Sequence, residues 1–252
     1  MQDRKYLLSI DKLLKSDIPD EMWERCLAKL DRERQKKVKD VTNTQKRAES
    51  IGAGLLLQLA VLEAEKQKCE GVGVGKNQPQ KSSLKLIPKQ PIISLTLAEI
   101  LDYLEQSSHA PLPLEYTYGE NGKPYFKNYP YYFNLSHSGE YILCVISESE
   151  VGVDIQQKKP LTNNRIAERF FAEGEKRQLE ECPTQQEQER LFYRLWTEKE
   201  AYGKLTGEGI ATVLAMSQNK IMEKNGELPV IFEEIELADY QMAVCKWKQE
   251  SR

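Results

Sequence analysis

The segments Gly152-Val-Asp-Ile-Gln156 and Trp196-Thr-Glu-Lys-Glu-Ala-Tyr-Gly-Lys204 carry most of what this chain discloses. The first ends an apolar run, Tyr141 to Val153, on an isolated carboxylate, Asp154. Short apolar runs bounded by turn residues read as strands. The second lies in a long helix from about Gln186 to Leu205, with Phe192, Leu195, Trp196, Ala201 and Tyr202 available for burial. On that helix Glu200 and Lys204 fall one turn apart on one face. Two carboxylates from separate elements, with a lysine beside one of them, form a donor set that holds Mg²⁺ against a phosphate.

Outward from these segments, Tyr6–Ile10 reads as a strand, 21–39 as one helix, and a helix from about Gln45 carries Ala48, Ile51, Leu55, Leu59 and Leu62 on one face. Ser94–Leu104 reads as a helix with a capping-type Thr96-x-x-Glu99. Strands are expected at Leu114–Tyr118, Tyr131–Leu135, Tyr141–Ser147 and Val151–Ile155, and helices at Ile166–Phe171 and Glu173–Glu181. Further strands follow at 216–222, 230–235 and 241–247. Strands and helices come in blocks rather than alternating, which argues for α+β. The expected halves are 1–146 and 147–252, with 66–113 as an insertion. Gly71-Val-Gly-Val-Gly75 followed by Lys76 lacks the spacing of a phosphate loop and reads as an ordinary loop.

At 252 residues, 40% hydrophobic and 30% charged, the chain has the composition of a globular protein with ample core. The net charge of −3 says little about partners, but its distribution says more. Arg25, Lys29, Arg32, Arg34, Lys36, Lys37, Lys39, Lys46 and Arg47 face only Asp31, Glu33 and Asp40 in the same stretch, an electrostatic footprint for an anion. The five cysteines are scattered with no C-x-x-C pair, arguing against a disulfide framework or a metal knuckle. The sequence suggests neither a signal peptide nor a spanning segment, so a cytoplasmic protein without membrane or nucleic-acid partners is expected.

Two turns add candidate residues. Asn121-Gly-Lys-Pro124 is a tight turn ending in a positive charge, where Gly122 permits close approach and Lys123 can reach a phosphate. Asn134-Leu-Ser-His-Ser-Gly139 closes the aromatic strand, and His137 there suits anion binding or proton handling near neutral pH. The bland alternatives are a plain hairpin, a turn histidine, and a solvated, salt-bridged face at Glu198-Lys-Glu200. His109, the other histidine, reads as a surface residue.

Taken in order, Gly122-Lys-Pro124, Asn134-Leu-Ser-His-Ser138, Gly152-Val-Asp-Ile155 and Trp196–Lys204 resemble the 4′-phosphopantetheinyl transferases of the larger, surfactin-synthetase-activating type. The resemblance covers about residues 1–210. It implies two similar α+β halves related by a pseudo-twofold, with coenzyme A and Mg²⁺ in the cleft between them, in a monomer. It also implies the reaction, in which a serine hydroxyl of an apo acyl or peptidyl carrier protein attacks the β-phosphate of coenzyme A. The phosphopantetheine arm is transferred and 3′,5′-ADP leaves. Asp154 and Glu200 match the metal-binding acids, Glu200 also the residue that helps deprotonate the serine, and Lys204 the lysine on the phosphates. Ser136 and His137 match positions near the 3′-phosphate, and Gly122, Lys123 and Pro124 the adenosine side. Arg34 and Lys37 match phosphate-binding lysines, with Arg47 in looser register. Glu200, a metal-bound water and His137 each remain candidates for the base.

The sequence departs from the family pattern at Gln156, where a third acidic ligand is usual. An amide oxygen can ligate Mg²⁺ but brings no charge, and water can fill the position. The alternatives are a non-catalytic carrier- or coenzyme-A-binding protein with an impaired metal site, and an unrelated Mg²⁺-dependent phosphoesterase.

Overall fold

The computed structural model describes residues 3–15, 18–71, 92–107, 110–161, 165–209, 213 and 230–248. The expected loop at 71–75 with Lys76, His109 and the expected strand at 216–222 lie wholly or largely outside these residues. The chain is mixed α+β, and its contacts divide it into two compact units.

One unit comprises Gln2–Glu115 with Glu140–Ile146. Its strand β1 (Arg4–Ser9) pairs parallel with β2 (Ile93–Leu95) and antiparallel with β6 (Tyr141–Ser147). Helix α3 (Thr44–Gly71) is buried at Ile51, Leu55, Leu56, Leu57, Leu59 and Ala60, wider than one face, as a central helix must be. It packs among α1 (Asp20–Ala28), α2 (Arg32–Asp40) and α4 (Leu97–Ser107). The single helix expected at 21–39 is two. Asp31 accepts from the Arg34 N–H at 2.9 Å and so caps a new helix, after the Lys29 N–H has closed the previous one on the Cys26 carbonyl. The helix expected from Ser94 starts later, because Ser94 lies in β2. Its capping box is present: the Thr96 N–H donates to Glu99 at 2.7 Å, and the Glu99 N–H donates to the Thr96 hydroxyl at 3.3 Å.

The other unit comprises Tyr116–Gly139 with Ser147–Arg252. It holds the hairpin β3 (Tyr116–Tyr118) and β4 (Pro124–Phe126), then β5 (Tyr132–Ser138). An antiparallel sheet runs in the order β7 (Val151–Gln157), β9 (Tyr240–Trp247), β8 (Val230–Leu237). Three helices, α5 (Arg165–Phe170), α6 (Glu173–Glu180) and α7 (Gln185–Thr206), complete it, and α7 packs across β7 and β9.

Segment 116–139 therefore groups with the C-terminal part rather than with the half expected at 1–146. The reason lies in the β7 edge that faces away from β9. The Val153, Ile155 and Gln157 N–H groups there donate to the side chains of Asn134 (2.9 Å), Ser136 (3.3 Å) and Ser138 (2.9 Å). Three short polar side chains at period two on β5 thus satisfy three backbone donors of β7. The strand expected at Tyr131–Leu135 is present and runs on through Ser136, His137 and Ser138, where a turn was expected.

Candidate active site

Gly152, Asp154 and Gln156 share one face of β7, the face turned to α7. A Cβ at Gly152 would fall on backbone atoms of Ala201 and Leu205, so only glycine lets the helix lie this close. That approach brings Lys204 to Asp154. Lys204 Nζ donates to Asp154 Oδ1 and to Ser136 Oγ, each at 2.8 Å. Ser136 Oγ in turn donates to Asp154 Oδ1 at 2.7 Å while accepting from the Ile155 N–H. The hydroxyl has spent its one hydrogen and both lone pairs, which pins it. Gln156 Nε2 donates to Asp154 Oδ2 at 3.0 Å. Asp154 itself is 1% exposed.

Glu200 sits one helical turn before Lys204 and is half-buried. Burial, and then the Asp154 charge, push its pKa up to about 7, with Lys204 pulling the other way. A carboxylate held in that condition gains from a cation. The donors Asp154, Glu200 and the Gln156 amide, once turned to offer its oxygen, are the hard oxygen atoms that Mg²⁺ takes. The residues therefore fit such an ion. Among the described residues there is no group of three or more His, Cys, Asp or Glu side chains at metal-holding distance. If these three positions held the ion, Gln156 would make one of them neutral.

His137 points away from this cluster. It alternates with Ser136 and Ser138 along β5 and is exposed. Lys123 and Gly122 lie in the β3–β4 turn and Pro124 opens β4, all in the same unit. Lys123 Nζ donates to the Leu205 carbonyl at 2.7 Å, next in sequence to Lys204. Arg34, Lys37 and Arg47 belong to the other unit. Arg47 there stacks on Trp23, 4.5 Å from the ring centroid. Part of the basic segment is structural, since Arg25 pairs with Asp102 and Glu105 at 2.8 Å.

The solvated face at 198–200 is not found. Thr197, Glu198 and Lys199 are 0%, 3% and 1% exposed. Lys199 Nζ pairs with Glu175 of α6 at 2.6 Å and lies 5.0 Å from the Phe171 ring centroid. Burial and the Glu234 charge raise Glu198 to about 7. Asn121, which sequence reading passed over as a turn residue, donates to the Gly207 carbonyl at 2.6 Å.

A lysine, a serine and a buried aspartate are thus locked together beside a glutamate whose pKa is pushed up to about 7. Residues 150–246, which contain β7 and all of α7, match the 4′-phosphopantetheinyl transferase superfamily. The match reaches past the 210 at which the sequence resemblance stopped, and takes in β8 and all of β9 but Trp247. The chain is 38% identical over 150 residues to 4′-phosphopantetheinyl transferase psf-1 of Bacillus pumilus, covering 54% of this chain and 64% of the relative. It is 36% identical over 134 residues to 4′-phosphopantetheinyl transferase gsp of Aneurinibacillus migulanus, covering 50% and 55%. It is 45% identical over 101 residues to 4′-phosphopantetheinyl transferase AcpT of Escherichia coli K12, covering 39% and 51%. The matches thus span about half to two thirds of the length of these relatives. No helix among the described residues is long and apolar enough to cross a membrane.

Proposed function

We propose that this protein transfers the 4′-phosphopantetheine arm of coenzyme A to a serine of an apo carrier protein in the presence of Mg²⁺. The observation that carries this reading is the Asp154–Ser136–Lys204 cluster beside Glu200, of which Asp154, Glu200 and Lys204 lie inside the segment that matches the family. The serine Oγ attacks the β-phosphorus, a new P–O bond forms, and the bond to the departing 3′,5′-ADP oxygen breaks. Glu200, with its pKa near 7, takes the serine proton, directly or through a water. Lys204 supplies positive charge where negative charge grows on the phosphates. Mg²⁺, held by Asp154, Glu200 and a turned Gln156 or a water, would neutralise the pyrophosphate. We assign His137, with Arg34, Lys37 and Arg47, to phosphate contacts rather than to proton transfer.

The test is to incubate the protein with apo carrier protein, coenzyme A and Mg²⁺ and to weigh the carrier. A gain of one phosphopantetheine supports the transferase. Coenzyme binding without transfer would favour a non-catalytic binder, a reading fed by Gln156, which presents N–H rather than oxygen to Asp154.

A further inference from the structure

The β3–β4 turn reaches beyond its own hairpin. Gly122 at φ 80° makes the turn, with the Gly119 N–H donating to the Lys123 carbonyl and the Gly122 N–H donating to the Gly119 carbonyl, each at 2.9 Å. Its two polar side chains then run to the C-terminus of α7. Asn121 Nδ2 donates to the Gly207 carbonyl at 2.6 Å and Lys123 Nζ to the Leu205 carbonyl at 2.7 Å. The last carbonyls of a helix have no partner within it, and that end carries partial negative charge. An ammonium and an amide are the donors such an end wants. Gly207 closes the helix in the left-handed region at φ 71°, and a Cβ there would touch the Lys123 stem at 3.8 Å. The Lys123 ammonium also lies 5.3 Å from the Tyr125 ring centroid, which steadies it in this position.

Leu205 follows Lys204 directly, so whatever holds the Leu205 and Gly207 carbonyls holds the base of the Lys204 side chain. The geometry points to Asn121 and Lys123 as positioning residues: they clamp the last turn of α7 and thereby keep Lys204 Nζ on Ser136 and Asp154. The functional consequence rests on the transferase reading, but the clamp does not. It also gives Lys123 a task other than the adenosine-side contact implied by resemblance.

Two measurements on the full chain test this. Amide hydrogen exchange is compared between wild type, Asn121→Ala and Lys123→Met. Peptides spanning 200–207 should exchange roughly fivefold faster in each variant, the effect of one lost hydrogen bond, while peptides within 186–196 stay unchanged. Unchanged exchange at 200–207 overturns the clamp. Transfer is then measured with coenzyme A and with 3′-dephospho-coenzyme A. Both variants should lower kcat roughly 10- to 100-fold with KM little changed, and by the same factor for the two substrates. Lys123→Arg, which keeps a donor, should recover most of the rate. A loss confined to coenzyme A would make Lys123 a phosphate contact and overturn its positioning role, as would a lowered Tm with unchanged kcat. If wild type transfers nothing, the transferase reading fails while hydrogen exchange still decides the clamp.

Discussion

Lys204 Nζ sits 2.8 Å from Asp154 Oδ1, so any divalent cation that takes this carboxylate competes with an ammonium already on it. Metal entry and release of Lys204 would then be two sides of one exchange, with the released ammonium available to a phosphate. Lys204→Met should bind Mn²⁺ more tightly without coenzyme, by about tenfold, the worth of one charge-assisted hydrogen bond. The same variant should lose roughly 10²- to 10³-fold in transfer rate. Calorimetric titration with Mn²⁺ checks the first part, and unchanged affinity would remove Asp154 from the ligand set.

Gln156 donates its amide N–H to Asp154 Oδ2 at 3.0 Å. Gln156→Glu replaces that donor with a third carboxylate on the same face of β7. The Mg²⁺ concentration for half-maximal transfer should fall, since a charged ligand replaces a neutral one. Without Mg²⁺ the variant should melt below wild type, because like charges then crowd a buried position. Transfer rate against Mg²⁺ concentration reads the first sign, and a thermal melt without Mg²⁺ reads the second. A requirement as high as that of wild type would mean that position 156 does not face the metal.

Glu200 titrates near 7 in the folded protein, raised by burial first and by the Asp154 charge second. A proton and a divalent cation compete for this carboxylate, so the Mg²⁺ concentration needed for half-maximal transfer should fall as pH rises toward about 7 and level off above it. The stability sign is opposite. Between the ordinary carboxylate value of 4.5 and about 7, the folded chain holds a proton that the unfolded chain has lost. Stability therefore falls across that window and the penalty is complete above it. Glu200→Gln should gain stability relative to wild type at pH 8, about 3 kcal/mol at most, and gain nothing near pH 4. Denaturant melts at the two pH values check it.

What the sequence made legible is what spacing decides. Asp154 and Gln156 lie two apart on a strand and Glu200 and Lys204 four apart on a helix, so each pair shares a face whatever the tertiary structure. Asp31 as a helix cap was equally local, although the basic run around it hid the break. The missed features depend on distant packing. Gly152 sat in an apolar run with no sign that the backbone of Leu205 would press on it. Asn121-Gly reads as a turn by itself, and nothing near it announces a carbonyl 86 residues away. Asn134, Ser136 and Ser138 alternate at strand period, but short polar residues beside a glycine resemble a turn more than an edge-capping strand. A solvated face at Glu198-Lys-Glu200 stayed open as an alternative because charged residues are usually exposed, and for Lys199 the partner that excludes it lies on α6, far from it in sequence.

That partner is Glu175, whose carboxylate meets Lys199 Nζ at 2.6 Å with side-chain exposures of 5% and 1%. The pair joins α6 to the turn of α7 that carries Glu200. Burial draws the Lys199 pKa below its ordinary value while Glu175 draws it back. Removing one member leaves an uncompensated charge in the core, so Lys199→Met or Glu175→Leu should each cost about 3–5 kcal/mol. The double variant Lys199→Met with Glu175→Leu removes both charges and should recover most of that loss, since apolar replacements of similar size often equal a buried pair. Urea melts of the four proteins give the coupling directly. If the double variant is as unstable as the two single losses added together, the residues act independently and the pair is not what ties α6 to α7.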